Sequence, residues 1–206
     1  MINNKPRLLL ATTNKGKRRE LADLLSSLDI DLVFPDQLMS PPEVDETGAT
    51  YAENALLKAR TLCEKYGIPA LADDTGLEVD ALEGRPGLHS ARYLPDAHAT
   101  DADRRRQLII DLSGKDRPWT ARFVCSVAIV LPAGEFHLTE GEIRGEIQPE
   151  ERGEDGFGYD RIFYIPAYGK TMAELNLAEK NQCSHRARAV KAAIPWLEER
   201  LIRRRE

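Results

Sequence analysis

Hydrophobic and polar residues alternate in blocks along this chain. The run RLLLATT (7–13) is compact and apolar and predicts a buried strand. In GKRRELADLLSSL (16–28), Leu21, Leu24, Leu25 and Leu28 recur at helical spacing. DLVFP (31–35) predicts a short strand, and DQLMSPPEVDETGAT (36–50) a Pro- and acid-rich loop. A second helix is expected over TYAENALLKARTLCEKYG (50–67), with Tyr51, Ala55, Leu56, Ala59, Leu62 and Tyr66 on one stripe and Gly67 as its stop. IPALA (68–72) and TGLEVDAL (75–82) predict two strands, separated where the first leaves the core at Asp73–Asp74, and EGRPGLHS (83–90) a turn. Thr100 is the N-cap candidate for a helix over 100–114 with acids in its first turn. Two long extended runs, 119–132 and 135–148, meet at PAGE and predict a hairpin. A Gly-rich acidic loop (149–160) and a strand over RIFYIP (161–166) follow. The tail predicts helix from about Leu177, broken near Ser184 and again at Pro195, and the closing RRRE is expected to be solvated. βαβ units first and a hairpin later predict an α/β fold with a mixed sheet.

Composition narrows the class. At 206 residues, 42% hydrophobic, the chain suits a single domain, with room for a second lobe. No apolar run is long enough to span a membrane, and the apolar stretch near the start lacks the small-residue site of a signal peptide. Cys63, Cys125 and Cys183 are odd in number and form no CxxC pair, which fits a reducing cytoplasm. A net charge of −5 disfavours broad binding to nucleic acid, so an anionic ligand needs a local cationic cluster or a metal ion.

Four segments carry candidate chemistry. TTNKGK (Thr12, Thr13, Asn14, Lys15, Gly16, Lys17) sits between a strand and a helix, where backbone N–H groups favour anions. It is no Walker loop, and taken alone it reads first as a βα loop with solvated lysines. The acids Glu43, Asp45, Glu46, Asp73 and Asp74 offer oxygen ligands of the kind magnesium takes one or two at a time. Neighbours on an extended chain point opposite ways, so Asp73 and Asp74 should not both serve one site fully. GEDGFGYD (153–160) sets Phe157 and Tyr159 among three glycines, an arrangement for stacking a base or for tucking an aromatic into the core. In EKNQCSHRAR (179–188), Lys180, His185 and Arg186 could grip phosphate or a base edge, or form a solvated basic turn. The four histidines neighbour no nucleophile elbow.

TTNKGKRREL, ETGATYAENALLKAR, LADDTGLEVDALEGRPGLHSARY, GFGYD and KNQCSHR, in this order, resemble the inosine/xanthosine triphosphate pyrophosphatase family over about Leu8 to Arg188. The resemblance implies an elongated mixed sheet flanked by helices, in two lobes with an active cleft between them, and a homodimer. It implies magnesium-assisted cleavage of non-standard purine triphosphates to monophosphate and pyrophosphate. By position it implies triphosphate contacts for Thr12 to Lys17, Asp74 as general base and metal ligand, Glu46 as second acid, and Thr75 beside the substrate. Phe157, Gly158, Tyr159 and Asp160 would form the base pocket, closed by Lys180, His185 and Arg186. Arg161 stands where the family usually has Pro, which bears on loop rigidity, and Thr75 where Ser is common. The competing readings are a Maf-like pyrophosphatase acting on pyrimidine or modified nucleotides and a non-catalytic nucleotide sensor.

Overall fold

A computed structural model describes residues 5–96 and 98–203. Among them the strands are β1 (Arg7–Leu10), β2 (Asp31–Val33), β3 (Ala70–Val79), β4 (Pro86–Gly87), β5 (Thr120–Val130), β6 (Phe136–Ile147), β7 (Phe163–Ile165) and β8 (Lys170–Thr171). The helices are α1 (Lys15–Leu24), α2 (Tyr51–Tyr66), α3 (Asp101–Leu112), α4 (Leu177–Cys183) and α5 (His185–Leu197). The sheet order is β2-β1-β3-β5-β6-β7-β8, with β4 paired to β3. β1 runs parallel to β2 and β3, while β6–β7 and β7–β8 are antiparallel, so the sheet is mixed as expected. The hairpin between β5 and β6 closes where Leu131 N–H donates to the Glu135 carbonyl at 2.9 Å.

The chain divides into two compact units. Of the described residues, one holds those up to Asp74, Cys125–Gly141 and those from Arg186 on; the other holds those within Thr75–Val124 and Glu142–His185. In the first unit, strand alternation sorts the core into two layers. Leu8 and Leu10 of β1, Leu71 of β3, and Val127 and Ile129 of β5 pack with Leu21 of α1 and Val190 of α5. Leu9, Ala70, Ala72, Ala128 and Val130 face the opposite way and pack with Ala55, Ala59 and Leu62 of α2. In the second unit, Leu77 and Val79, Phe123, Ile143 and Phe163 form one cluster with Leu108 and Leu112 of α3.

Three expectations need correction. The segments 68–72 and 75–82 are not two strands: β3 runs unbroken through Asp73 and Asp74, because cations meet both carboxylates within the strand. The stripe of α2 is wider than expected: Ala55, Ala59 and Leu62 are buried and Leu56 and Tyr66 pack half-buried on the same core, while Asn54 and Cys63 join the buried face and Tyr51 is half-buried. Pro195 does not break the last helix. It lies in the last turn, where one lost hydrogen bond matters least, and Val190, Ala193 and Leu197 hold the helix to the core before the chain widens into a π-helical turn over Glu198–Ile202. Of the terminal RRRE, residues 204–206 lie outside the described residues. Among the described residues no helix is long and apolar enough to cross a membrane.

Candidate functional site

The alternation that sorts the core also sorts the two aspartates. Asp73 continues the face of Leu71, toward α1 and α5, and Asp74 the face of Ala72, toward α2. Asp73 is fully buried, with one carboxylate oxygen 3.0 Å from Lys17 Nζ and 3.0 Å from Arg186 Nε. Arg186 is itself buried and also pairs with Glu20 of α1. Asp74 meets α2: Asn54 Nδ2 donates to it at 3.2 Å, and Lys58 Nζ lies 3.4 Å away. The same ammonium is 2.8 Å from Glu46, so Lys58 joins the two predicted metal carboxylates. Asn54 is oriented by its other end, where its Oδ1 accepts Gly48 N–H at 2.8 Å.

These surroundings drive the neighbours apart in acidity. Burial alone would push the Asp73 carboxyl up, but Lys17, Arg186 and Lys58 overcome it and hold Asp73 far below the usual carboxylate range. Burial raises Asp74, and nearby Glu46 adds to the rise; Lys58, Lys17 and Asn54 offset only part of it. Desolvation would lower the Lys58 ammonium, yet Asp74, Asp73 and Glu46 leave it raised. Adjacent residues thus differ in acidity, Asp73 held low by its cations and Asp74 raised by burial.

Asn14 caps α1, its side chain accepting Lys17 N–H at 3.0 Å, and Thr12 Oγ1 accepts Asn14 N–H at 3.2 Å. No acid stands in the first turn of α1, so its positive end is not neutralised within the helix. Thr13, Asn14 and Lys15 are exposed, while Thr12, Gly16 and Lys17 are half-buried. An ammonium has three donors, so the Asp73 contact leaves Lys17 capacity for a further acceptor. Glu43 and Asp45 are exposed. Among the described residues no three His, Cys, Asp or Glu side chains gather as a metal cage.

The second unit holds the aromatic constellation. Asp160 Oδ2 accepts Phe157 N–H at 2.9 Å and Lys180 Nζ at 2.6 Å, with both charged groups buried. Lys180 also lies 5.0 Å from the centroid of the half-buried Phe157 ring. Gly156 has φ +79, and a Cβ there would lie 2.1 Å from Asp160 Oδ2, so this turn demands glycine. Tyr159 belongs to the core, its hydroxyl donating to the Ser90 carbonyl at 2.9 Å. His185 is buried and stacks on Phe123 at 4.7 Å. Lys180, His185 and Arg186 are therefore no solvated basic turn. They also do not share one set of partners: Arg186 joins Asp73 and Glu20, Lys180 joins Asp160. Thr75 is half-buried in β3.

Sequence reading missed Glu20, Asn54 and Lys58, which meet the two aspartates and their partners. A signal existed, since Lys17 with Glu20 and Asn54 with Lys58 are polar pairs three or four residues apart on a helix face. Spacing could not say what those pairs faced.

Residues 8–196 match the model of the Ham1 family. A dITP/XTP pyrophosphatase of Symbiobacterium thermophilum is 47% identical over 93% of this chain and 94% of its own length. One from Desulforamulus reducens is 44% identical over 93% and 95%. Among solved structures, a HAM1 protein from Coxiella burnetii aligns with a TM-score of 0.85 at 39% identity, covering 94% of this chain and 99% of that one. The Staphylococcus aureus Ham1 protein aligns at 0.82 and 36%, covering 94% and 98%. The match to the family model and to these relatives thus covers nearly the whole length, and the chain belongs to the Ham1 family.

Proposed function

We propose that this protein hydrolyses non-standard purine nucleoside triphosphates, dITP and XTP among them, to the monophosphate and pyrophosphate. The observation that carries the reading is the contrast between adjacent Asp73 and Asp74, beside a cationic helix start and a lysine held between two carboxylates. The names of the relatives at 44% and 47% identity support the substrate class.

In this reading the α1 N–H groups and Lys17 hold phosphate oxygens. Asp74, turned by Asn54, accepts the proton of the water that attacks the α-phosphorus, and its raised proton affinity suits a general base. Phe157 offers a face for the base, and Asp160 and Lys180 fix the backbone beside it. A site that donates to the 6-carbonyl of hypoxanthine or xanthine leaves groups unpaired against adenine.

Glu46 and Asp74 would hold a magnesium ion. The fit rests on the donor set: two carboxylates already gathered about a cation, the Lys58 ammonium, which suits an ion that takes few protein oxygens and completes its shell with water and phosphate. When bound, it would screen phosphate charge and polarise the attacked phosphorus. The reading extends to a homodimer in the cytoplasm, supported by the family resemblance and by three buried free thiols. Turnover of dITP in ¹⁸O-water tests the chemistry: label in the monophosphate supports attack at the α-phosphorus, and label in pyrophosphate or orthophosphate rejects it.

A further inference from the structure

Gly158 lies between Phe157 and Tyr159 with φ +59, outside any regular ladder. Both polar groups of this residue are nonetheless taken. Its N–H donates to Asp101 Oδ2 at 2.8 Å, and its carbonyl accepts Arg105 Nη1 at 2.7 Å. Asp101 and Arg105 stand one turn apart on α3, so one helix face holds both hydrogen-bonding groups of a single loop residue. The rest of the Arg105 fork turns to the start of the same loop. Nε and Nη2 meet the two oxygens of Glu151 at 2.8 and 3.0 Å. Arg161 Nη1 lies 3.7 Å from Glu151, and Arg152 N–H donates to the Arg161 carbonyl at 2.9 Å, so the two ends of the loop are tied together.

Arg105 is buried, with three of its donors on the loop. Burying a guanidinium is costly, and an apolar side chain would pack α3 at least as well. What the fork supplies is direction: it fixes where the Gly158 carbonyl points, and with it the peptides beside Phe157. Tyr159 is anchored separately at Ser90 and Asp160 at Lys180. Phe157 is the half-buried member, held by its own N–H on Asp160 and, through the adjoining Gly158 peptide, by α3.

We propose that Arg105, seconded by Asp101 and Glu151, is a positioning residue for base selectivity, acting through the Gly158 peptide on the Phe157–Asp160 segment. This rests on the assignment of that segment to the purine base. Rejecting a wrong base requires unpaired groups to stay unpaired, which fails once the loop can shift to satisfy them. The guanidinium of Arg105 bonds Gly158 and Glu151, both on this loop, so its loss should change KM and the ratio between bases and leave kcat alone.

The test uses Arg105→Met, Arg105→Lys and Glu151→Gln, the last at an exposed position where folding is least at risk. Amide exchange is measured without nucleotide, and kcat and KM are measured for ITP and GTP. In Arg105→Met, exchange at Gly158 should quicken about tenfold, the scale of one lost charge-assisted bond, while α3 amides keep their protection. The ITP-to-GTP ratio of kcat/KM should fall about tenfold through KM, with kcat within about twofold. Arg105→Lys and Glu151→Gln should fall between that variant and the wild type on both readouts. A loosened Gly158 with an unchanged ratio, or an unchanged Gly158 in folded Arg105→Met, overturns the proposal. If the wild type turns over no purine triphosphate, the functional reading fails by itself, and Gly158 exchange still decides the clamp.

Discussion

Replacing Asp73 by Asn tests the buried charge cluster. Asp73 and Glu20 face Lys17 and Arg186, two anions against two cations. Asn keeps the shape and removes one negative charge, leaving Arg186, 1% exposed, with an excess of cation beside it. Removing one partner of a buried pair costs about 3–5 kcal/mol. The Lys17 side chain is 16% exposed and can turn toward water, which places the expected cost near the lower bound, about 3 kcal/mol. For a chain of this size each kcal/mol moves Tm by about 2–4 °C, so Tm should fall by about 6–12 °C. The pH dependence follows from the sign of the shift. Asp73 is depressed in the folded state, so its stabilisation is complete above the unfolded value of about 3.9 and is lost as pH falls toward the folded value. The gap between wild type and Asp73→Asn should therefore be flat through neutral pH and narrow below about pH 4. Urea and thermal unfolding followed by circular dichroism measure it. A variant within about 1 kcal/mol of wild type at pH 7 would refute the view that Asp73 is the anion of this cluster.

Asp74→Asn should lower kcat by about 100- to 10,000-fold at saturating metal while unfolding close to the wild type, since burial already disfavours the charge on Asp74; near-normal kcat in the folded variant would assign the base elsewhere. Lys58→Met removes the largest influence holding Asp74 down, so the acidic limb of the kcat/KM profile should move to higher pH, and a limb that stays or moves lower contradicts the pairing. Lys17→Ala should reduce kcat/KM about 10- to 150-fold for every purine triphosphate alike, and a change confined to base preference would remove Lys17 from the phosphate. Activity that survives exhaustive chelation would exclude the metal assigned to Glu46 and Asp74.

How far the sequence could be read depended on whether a feature was local. β1, α1, α2 and the hairpin were legible because each carries its own periodicity and stop signals. β3 was misjudged because two adjacent aspartates look like a strand's end when the cations that satisfy them lie 56 and 113 positions away, at Lys17 and Arg186, or 16 away, at Lys58. The opposed directions of Asp73 and Asp74 did follow from extended geometry, though not which helix each would meet. Lys58 and Arg105 stayed hidden for a related reason: on a helix face a charged residue reads as solvated until a second element is packed against it. The bland reading of Lys180 and Arg186 failed because Asp160, Asp73 and Glu20 come from other elements.

The most direct test is a panel of ITP, dITP, XTP, dATP, dGTP and GTP with magnesium, assayed for pyrophosphate, orthophosphate and monophosphate with wild type and Asp74→Asn. The expected result is equimolar monophosphate and pyrophosphate from ITP, dITP and XTP, much slower turnover of dATP, dGTP and GTP, and turnover lowered about 100- to 10,000-fold in Asp74→Asn. Orthophosphate as the first product, or equal rates across the panel, would contradict the assignment of this site to non-standard purine triphosphates.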